Sequence, residues 1–167
     1  MSLNKYLKSL NKEQLIEQIG ELYQKYKDVK TYYQYFMNPD DKTIADNYKK
    51  IIRNQFFPSR GFGDPKLSVA RKAVNDFKKL SPPAADIADM MLYYVENGVE
   101  FTKAYGDIDE PFYNSMESMF STACKFIKIN ELIKVYTVRC EKILTNSIDT
   151  GWGLHDGLYD IYYEFMK

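Results

Sequence analysis

Apolar residues recur along most of the chain at the spacing of one face of an α-helix. The clearest run consists of Leu15, Ile16, Ile19, Leu22, Tyr23 and Tyr26. Their separations follow the 3.6-residue repeat of a helix, and no segment shows the sustained two-residue alternation of a β-strand. The chain is therefore predicted to be all-α, with about seven to eight amphipathic helices in antiparallel pairs, as a helical bundle or an irregular stack of α-hairpins.

Chain length and the placement of helix breakers indicate one domain. A chain of 167 residues can bury a hydrophobic core of its own. The six prolines and eight glycines cluster at a few places, which leaves long segments free to be helical. We therefore predict a single helical domain over residues 1–167.

Three short patterns indicate where helices begin or bend. Asn11, with a glutamine three residues later, is a capping-box pair, and the helix that it opens is predicted to continue to Phe36. Asp64 and Pro65 are predicted to supply the N-cap and the first residue of a later helix. At Gly98 another helix is expected to fray or bend.

Composition excludes several classes of protein. No apolar run approaches the roughly 18 residues of a membrane span, and the first residues lack the apolar core of a signal peptide, so the cytoplasm is the expected location. Cys124 and Cys140 are too few for a disulfide framework. A net charge of zero argues against a protein devoted to nucleic acid or to an anionic membrane.

Although the net charge is zero, positive and negative residues are separated in the middle of the chain. Residues 42–80 carry ten Lys or Arg and three Asp or Glu, whereas residues 81–120 carry one basic and eight acidic residues. One interpretation is that two neighbouring helices attract one another through their solvated faces. The other is that a basic surface binds an anionic partner, or pairs with the acidic segment of a second copy.

The loop of residues 55–66 and the helix after it contain the predicted binding residues. Two glycines, an arginine and a helix N-terminus together attract phosphates and carboxylates. The candidates are Arg60, Gly61, Phe62, Gly63, Lys66, Arg71, Lys72, Lys78 and Lys79, of which the last four form what we call the basic ridge. Such a ridge suits an anionic ligand, including nucleic acid. The alternative is a connection pinned to the core by Phe56, Phe57 and Phe62, followed by an ordinary solvated helix face.

The other chemistry-bearing residues favour structural roles. His155 is the only histidine, and it can serve as a general base or, alternatively, as a capping or surface residue. Cys124 and Cys140 lie on apolar faces and are predicted to be small core residues. Five acidic residues near predicted helix starts are predicted to stabilise helix N-termini: Asp86, Asp89, Asp107, Asp109 and Glu110. No catalytic residue, metal site or cofactor is predicted.

Tyrosines often occur in pairs, as at Tyr93-Tyr94 and Tyr162-Tyr163. Adjacent residues of a helix point about 100° apart, so one tyrosine of a pair can be buried while the other borders solvent. This arrangement suits wide helix contacts with the hydroxyl at the rim. It also suits a protein–protein surface, where tyrosine is enriched.

Three stretches of the sequence resemble those of a known family. They are Lys5 to Leu10 running into Gln14 to Glu17, Phe57-Pro58 with Ser68 to Lys72, and Ile87 to Tyr93. With them the whole chain resembles a family of all-helical bacterial proteins of unknown function and similar length. The resemblance implies a single helical domain in the cytoplasm, and it implies no activity, cofactor or catalytic residue.

Because the sequence contains no catalytic motif, a non-enzymatic function is expected first. The first expectation is a non-enzymatic helical module that binds a protein partner or a second copy, through a surface that includes the basic ridge and the loop before it. The alternative is binding of nucleic acid or a phosphorylated ligand through residues 60–79. An enzyme that uses His155 or acidic residues is the least favoured of the three.

Overall fold

The computed structural model describes residues 1–38, 42–60 and 64–167. Within these ranges the chain forms nine helices and no strand, which confirms the all-α prediction. The helices are α1 (Leu3–Leu7), α2 (Lys12–Lys25), α3 (Lys27–Met37), α4 (Thr43–Phe56), α5 (Leu67–Lys79), α6 (Ala84–Tyr105), α7 (Glu110–Ile129), α8 (Ile133–Ser147) and α9 (Leu154–Met166). The chain divides into two compact units, Met1–Lys42 and Thr43–Lys167. The single domain expected from the sequence stays a prediction.

In the first unit, α2 and α3 pack on each other. The Gln14 N–H donates to Asn11 Oδ1 at 2.8 Å and the Asn11 N–H donates to Gln14 Oε1 at 3.0 Å, which confirms the capping box. The helix ends at Lys25, however, because Tyr26 is extended (φ −118°, ψ 119°). The prediction of one helix to Phe36 was wrong, and neither glycine nor proline marks the break.

In the second unit, α6 is the central helix. It packs against α4, α5, α7 and α8, whereas α9 packs on α7 and α8. Twelve of the 22 residues of α6 are buried, so this helix is apolar on most sides rather than along one stripe. The Phe56 ring at the end of α4 lies 5.5 Å from the Tyr94 ring and 6.4 Å from the Phe112 ring, measured between centroids. These aromatic contacts join α4, α6 and α7 in one core.

The segment before α5 differs from its prediction. The helix begins at Leu67, and Lys66 at the N-cap position makes no side-chain capping bond. The Leu67 N–H donates to the Pro65 carbonyl at 2.8 Å across Lys66 (φ −75°, ψ 76°), which is an inverse γ-turn. Because this turn delays the helix, the prediction that Asp64 caps it was wrong.

Phe56 and Phe57 pin the end of α4 to the core, as predicted. Phe56 is buried, and the half-buried Phe57 ring lies 5.9 Å from the Phe101 ring. Phe62, the third residue of the predicted anchor, lies outside the described residues.

Gly98 lies in the middle of α6, which continues through it as one helix, so fraying does not occur there. The residue is buried and faces Met116 of α7. A Cβ at Gly98 would lie 1.9 Å from Met116 Sδ. The glycine therefore allows α6 and α7 to approach closely, and it does not interrupt the helix.

Candidate functional site

The structure does not bring all of the predicted binding residues together in one site. Arg60 and Lys66 are exposed before α5, and neither lines the groove that the basic ridge borders. Gly61, Phe62 and Gly63 lie outside the described residues. The binding role of all five stays a prediction.

The basic ridge borders an open groove of about 670 Å³ on α5. Ser68, Asn75 and Asp76 line the groove together with all four ridge cations. Asp76 accepts hydrogen bonds from Lys72 and from Lys79, the latter at 2.9 Å, and these bonds lower the pKa of the Asp76 carboxyl. The fold therefore brings four predicted residues together, but with a carboxylate among them.

The other two ridge cations contact neighbouring helices. Arg71 donates to Ser115 Oγ at 2.9 Å and to the Ser115 carbonyl at 2.7 Å, and its guanidinium lies 5.7 Å from the centre of the Tyr94 ring. Lys78 Nζ lies 5.5 Å from the centre of the Phe126 ring. Arg71 thus helps to hold α5 against α6 and α7, and the ridge presents less positive charge to a ligand than its sequence suggests.

Cations of α4 pair with carboxylates of α6. Lys49 Nζ lies 2.6 Å from Asp89 Oδ2, and Arg53 binds Glu100 with two hydrogen bonds, one of them 2.7 Å from Nη2 to Oε1. These pairs join the basic segment to the acidic one, which confirms that neighbouring helices attract one another. The cations belong to α4, however, and not to the basic ridge on α5.

Arg139 of α8 binds two carboxylates of α6, Glu96 and the Asp89 that Lys49 also binds. Its Nε and Nη2 donate to the two oxygens of Glu96 at 2.7 and 2.9 Å, and its Nη1 donates to Asp89. Burial alone would raise the pKa of Asp89, but the hydrogen bonds and charges of Lys49 and Arg139 lower it below its ordinary value. Asp89 therefore links three helices, and the prediction that it stabilises a helix N-terminus was wrong, whereas Asp86 does lie in the first turn of α6.

Asp109 and His155 have the structural roles that the sequence indicated. Asp109 Oδ1 accepts the Phe112 N–H at 2.9 Å and caps α7. His155 Nδ1 lies 3.1 Å from the Leu144 carbonyl and 3.0 Å from Ser147 Oγ, which ties the first turn of α9 to the end of α8. Because a carbonyl can only accept, Nδ1 carries the proton. Within the described ranges, no three His, Cys, Asp or Glu side chains are grouped closely enough to hold a metal ion.

Cys124 of α7 and Cys140 of α8 are buried free thiols, as predicted. The hydrogen bond with the Cys140 thiol, and then burial, raise the pKa of Cys124 far above its ordinary value. A thiol held in its protonated form is a poor nucleophile. Both cysteines therefore serve the core.

The outward side of α9 carries two parallel rows of side chains. Tyr159 and Tyr163 are exposed, with ring centroids 4.9 Å apart. Asp156, Asp160 and Glu164 form an exposed second row at the same four-residue spacing. We call these five residues the α9 face.

The inner side of α9 is fixed against its neighbours. Tyr162 is 2% exposed and its hydroxyl donates to Glu141 Oε1 at 2.7 Å, whereas Tyr163 is 54% exposed. The predicted division of a tyrosine pair into one buried and one solvent-facing ring is confirmed here. A Cβ at Gly157 would lie 2.5 Å from Glu117 Oε1, so α9 approaches α7 closely. The residues of the α9 face therefore belong to a helix whose opposite side is tightly packed against its neighbours.

Trp152 lies just before the N-terminus of α9. It is 59% exposed and has a left-handed backbone (φ 58°), which is unfavourable for an aromatic residue. Its ring stacks on the Tyr113 ring at 6.3 Å, and the Tyr113 hydroxyl shares a hydrogen bond of 2.8 Å with Thr102 Oγ1. A strained backbone that orients an exposed indole favours a binding role.

The chain around this side of the molecule is acidic. Residues 104–124 and 143–166 contain eight carboxylates and neither lysine nor arginine. The two stretches include most of α7 and the whole of α9, which pack together. The exposed aromatic rings of Trp152, Tyr159 and Tyr163 therefore lie among carboxylates. Lysines approach α9 near its C-terminal end, where Lys128 Nζ donates to the Glu164 carbonyl and Lys125 Nζ lies 4.9 Å from the centre of the Phe165 ring.

Comparisons with known proteins bear on family rather than on activity. No helix in residues 1–38, 42–60 or 64–167 combines the length and the apolar character needed to cross a bilayer. No curated protein and no solved structure matches the chain. A family model described as "Family of unknown function (DUF6155)" matches residues 1–166, which confirms the resemblance to an all-helical family of unknown function. The chain thus belongs to the DUF6155 family.

Proposed function

We propose that this chain is a non-enzymatic protein-interaction module that binds a segment of a partner protein rich in lysine and arginine. The docking surface is the α9 face, extended at its N-terminal end by Trp152. The observation that supports this proposal most is the row of two exposed tyrosines beside a row of three exposed carboxylates on one packed helix. Tyrosine and tryptophan are frequent anchors of protein interfaces, and charged rims select the partner.

The aromatic rings supply contact area at low entropic cost. A tyrosine has two side-chain torsions, and the contact between Tyr159 and Tyr163 restricts both rings further before any partner binds. Trp152 is held in the same way by its stacking on Tyr113. Binding groups that are ordered in advance lose little freedom on association, which raises affinity.

The carboxylates determine the chemistry of the partner. Asp156, Asp160 and Glu164 lie in a stretch of 24 residues, 143–166, that contains no Lys or Arg. The neighbouring Lys128 of α7 donates to the backbone carbonyl of Glu164 and not to one of these carboxylates. A partner segment with lysine or arginine beside an apolar side chain matches both rows, whereas an acidic segment is repelled. The partner is therefore expected to associate faster at low ionic strength.

The test uses a lysine-rich amphipathic peptide and a glutamate-rich peptide of the same length, titrated into the protein by calorimetry. Wild-type protein is expected to bind the lysine-rich peptide and not the glutamate-rich peptide. Replacing Tyr159 and Tyr163 with serine should weaken binding at least about tenfold, because exposed aromatic anchors contribute about 1 kcal/mol or more each. Replacing Asp156 and Asp160 with asparagine and Glu164 with glutamine should weaken it about tenfold and flatten its salt dependence.

The chain offers a matched control on α2. Glu13, Glu17 and Glu21 are exposed and have the same four-residue spacing as the acidic row of the α9 face. Changing all three to glutamine removes the same charge and should alter peptide affinity by less than about twofold. Equal affinity for the two peptides, or equal losses in the α2 and α9 variants, would contradict the proposal. Light scattering gives the mass in parallel, and a value above the 19.6 kDa monomer would identify a second copy as a competing occupant.

The groove on α5 favours a second candidate function, the binding of nucleic acid or a phosphorylated ligand. It predicts that the protein binds a single-stranded oligonucleotide with an affinity that falls steeply with salt. Changing Lys78 and Lys79 to glutamate should lower that affinity more than about tenfold. Arg71 is left unchanged, because its bonds to Ser115 help to hold α5 in place. Wild-type protein that ignores the oligonucleotide, or a double variant that binds it normally, would remove this candidate.

The proposal includes a cytoplasmic location in a bacterium. Bacterial origin rests on the family resemblance of the sequence. The location is supported by Cys124 and Cys140, which are free thiols in a protein with no other cysteine. Unpaired buried cysteines suit a reducing compartment.

A further inference from the structure

A cleft between α6 and α8 is separate from the α9 face and from the basic ridge. Its volume is about 610 Å³, within the range of about 300–1,000 Å³ that is typical of sites for small molecules. Val99 of α6 and Ile143 of α8 form its floor, and both are almost completely buried. Because these two side chains are only 2% and 1% exposed, the apolar surface that a ligand can contact comes from Ala104 and from the methylene chains of the lysines that line the cleft.

The two carboxylates that line the cleft are already bound by arginines. Glu96 is held by two hydrogen bonds from Arg139, and Glu100 by two from Arg53. The hydrogen bond from Arg53 lowers the pKa of Glu100, so that the carboxylate stays ionised inside its pair. Neither acid is left to attract a cationic ligand strongly.

The two lysines that line the cleft are in the opposite situation. Lys103 of α6 and Lys142 of α8 are exposed, and in the part of the chain that the structure describes neither ammonium has a carboxylate within 4 Å. Asn146 of α8 adds an amide to the same rim. Counting the ion pairs behind the cleft, including the Asp89 that Arg139 and Lys49 share, five cations lie beside three carboxylates. The local charge is positive.

We infer that this cleft binds a small amphiphilic anion, in which a carboxylate or phosphate head group is joined to an aliphatic or aromatic body. Lys103, Lys142 and Asn146 contact the head group through charge-assisted and amide hydrogen bonds. Ala104 and the methylene chains of the two lysines contact the apolar body above the buried Val99 and Ile143. The arginine pairs on either side keep the acidic side chains from repelling the ligand.

The test titrates octanoate and octyl phosphate into the full-length protein by calorimetry, with octanol as the probe that lacks a charge and inorganic phosphate as the probe that lacks a tail. At least one of the two octyl anions should bind saturably, and its identity distinguishes a carboxylate site from a phosphate site. Octanol and inorganic phosphate should each bind at least about tenfold more weakly, because octanol lacks the anionic head group and inorganic phosphate lacks the apolar tail. Changing Lys103 and Lys142 to glutamine should raise the Kd about tenfold.

Two further variants separate this site from a general effect of charge. Changing the exposed Lys50 and Lys134 to glutamine removes the same charge elsewhere, and should alter the Kd by less than about twofold. Changing Ala104, which lines the cleft, to phenylalanine should block binding while all charges remain. The inference is overturned if neither octyl anion binds up to about 10 mM. It is equally overturned if octanol binds as well as the anions, or if the two double lysine variants lose affinity alike.

Discussion

Replacing Arg139 with methionine is expected to lower the free energy of unfolding by about 3 kcal/mol at pH 7. The Arg139 side chain is 24% exposed, and its guanidinium donates to both oxygens of Glu96 and to Asp89. Methionine keeps the apolar part of the side chain but removes all of these donors. Carboxylates that lose their partner in a partly buried site cost more than the intact pair contributes. Urea denaturation at pH 7 measures the loss.

The destabilisation caused by Arg139→Met is expected to depend on pH, and this dependence tests its electrostatic origin. Because the pKa of Asp89 is lowered in the folded state, its ionised form stabilises the fold above the ordinary carboxyl pKa of about 4, and this stabilisation disappears as the pH falls through the folded-state value. The cost of Arg139→Met should therefore be largest above about pH 5 and shrink below about pH 3.5. Lys134→Met, at an exposed position of the same helix, should cost less than about 0.5 kcal/mol. An Arg139 variant as stable as this control would contradict the role of the network.

Replacing Gly98 with alanine is expected to cost about 2 kcal/mol, although alanine is the better helix former. The added Cβ would lie 1.9 Å from Met116 Sδ, and Met116 is completely buried between its neighbours. Either the methionine must leave its rotamer or α6 and α7 must separate. Thermal and urea unfolding of the single variant measure the cost.

A double-mutant cycle isolates that steric cause. Met116→Ala alone should destabilise the fold by about 2–5 kcal/mol, because it opens a cavity. In that background Gly98→Ala should cost nothing, or stabilise by up to about 1 kcal/mol through helix propensity. If Gly98→Ala costs the same with and without Met116, close packing against this side chain is not the reason for the glycine.

Local features of the fold could be predicted from the sequence because their chemistry is contained in a few neighbouring residues. The Asn11 capping box and the Asp109 cap each need only a side-chain acceptor two or three residues from a free N–H. The break at Tyr26 and the late start of α5 at Leu67 could not be predicted in the same way. The first has no breaker residue, and the second depends on a turn centred on a lysine.

Side-chain contacts between different helices could not be predicted from the sequence. Asp89 has the position of a residue near a helix start, yet it binds Lys49 from a helix earlier in the chain and Arg139 from one much later. Arg71 has the spacing of a solvated ridge, yet it donates to Ser115. Both depend on which helices become neighbours, which periodicity along one helix does not determine.

The α9 face was visible in the sequence only in part. The four-residue spacing of Tyr159 and Tyr163, and that of the three acidic residues beside them, can be seen without a structure. What the structure adds is that this side of α9 faces solvent while Tyr162 and Leu158 face the core. The earlier pair Tyr93-Tyr94 exposes no such row, because Tyr94 is completely buried. Tyr32 and Phe36 of α3 are exposed at the same spacing, with ring centroids 6.2 Å apart, but within α3 no row of carboxylates lies beside them.

The docking role of the α9 face is tested most directly by photocrosslinking from Tyr163. The photoreactive amino acid p-benzoylphenylalanine replaces Tyr163 in protein expressed in its own host cell, and mass spectrometry identifies the peptide that becomes attached. The same replacement at Tyr26, which is 48% exposed against 54% for Tyr163, is the control. We expect one protein to be captured from Tyr163 and not from Tyr26, through a segment rich in lysine and arginine. Capture of the same products from both positions, attachment through acidic segments, or no capture from Tyr163 would contradict the proposed function.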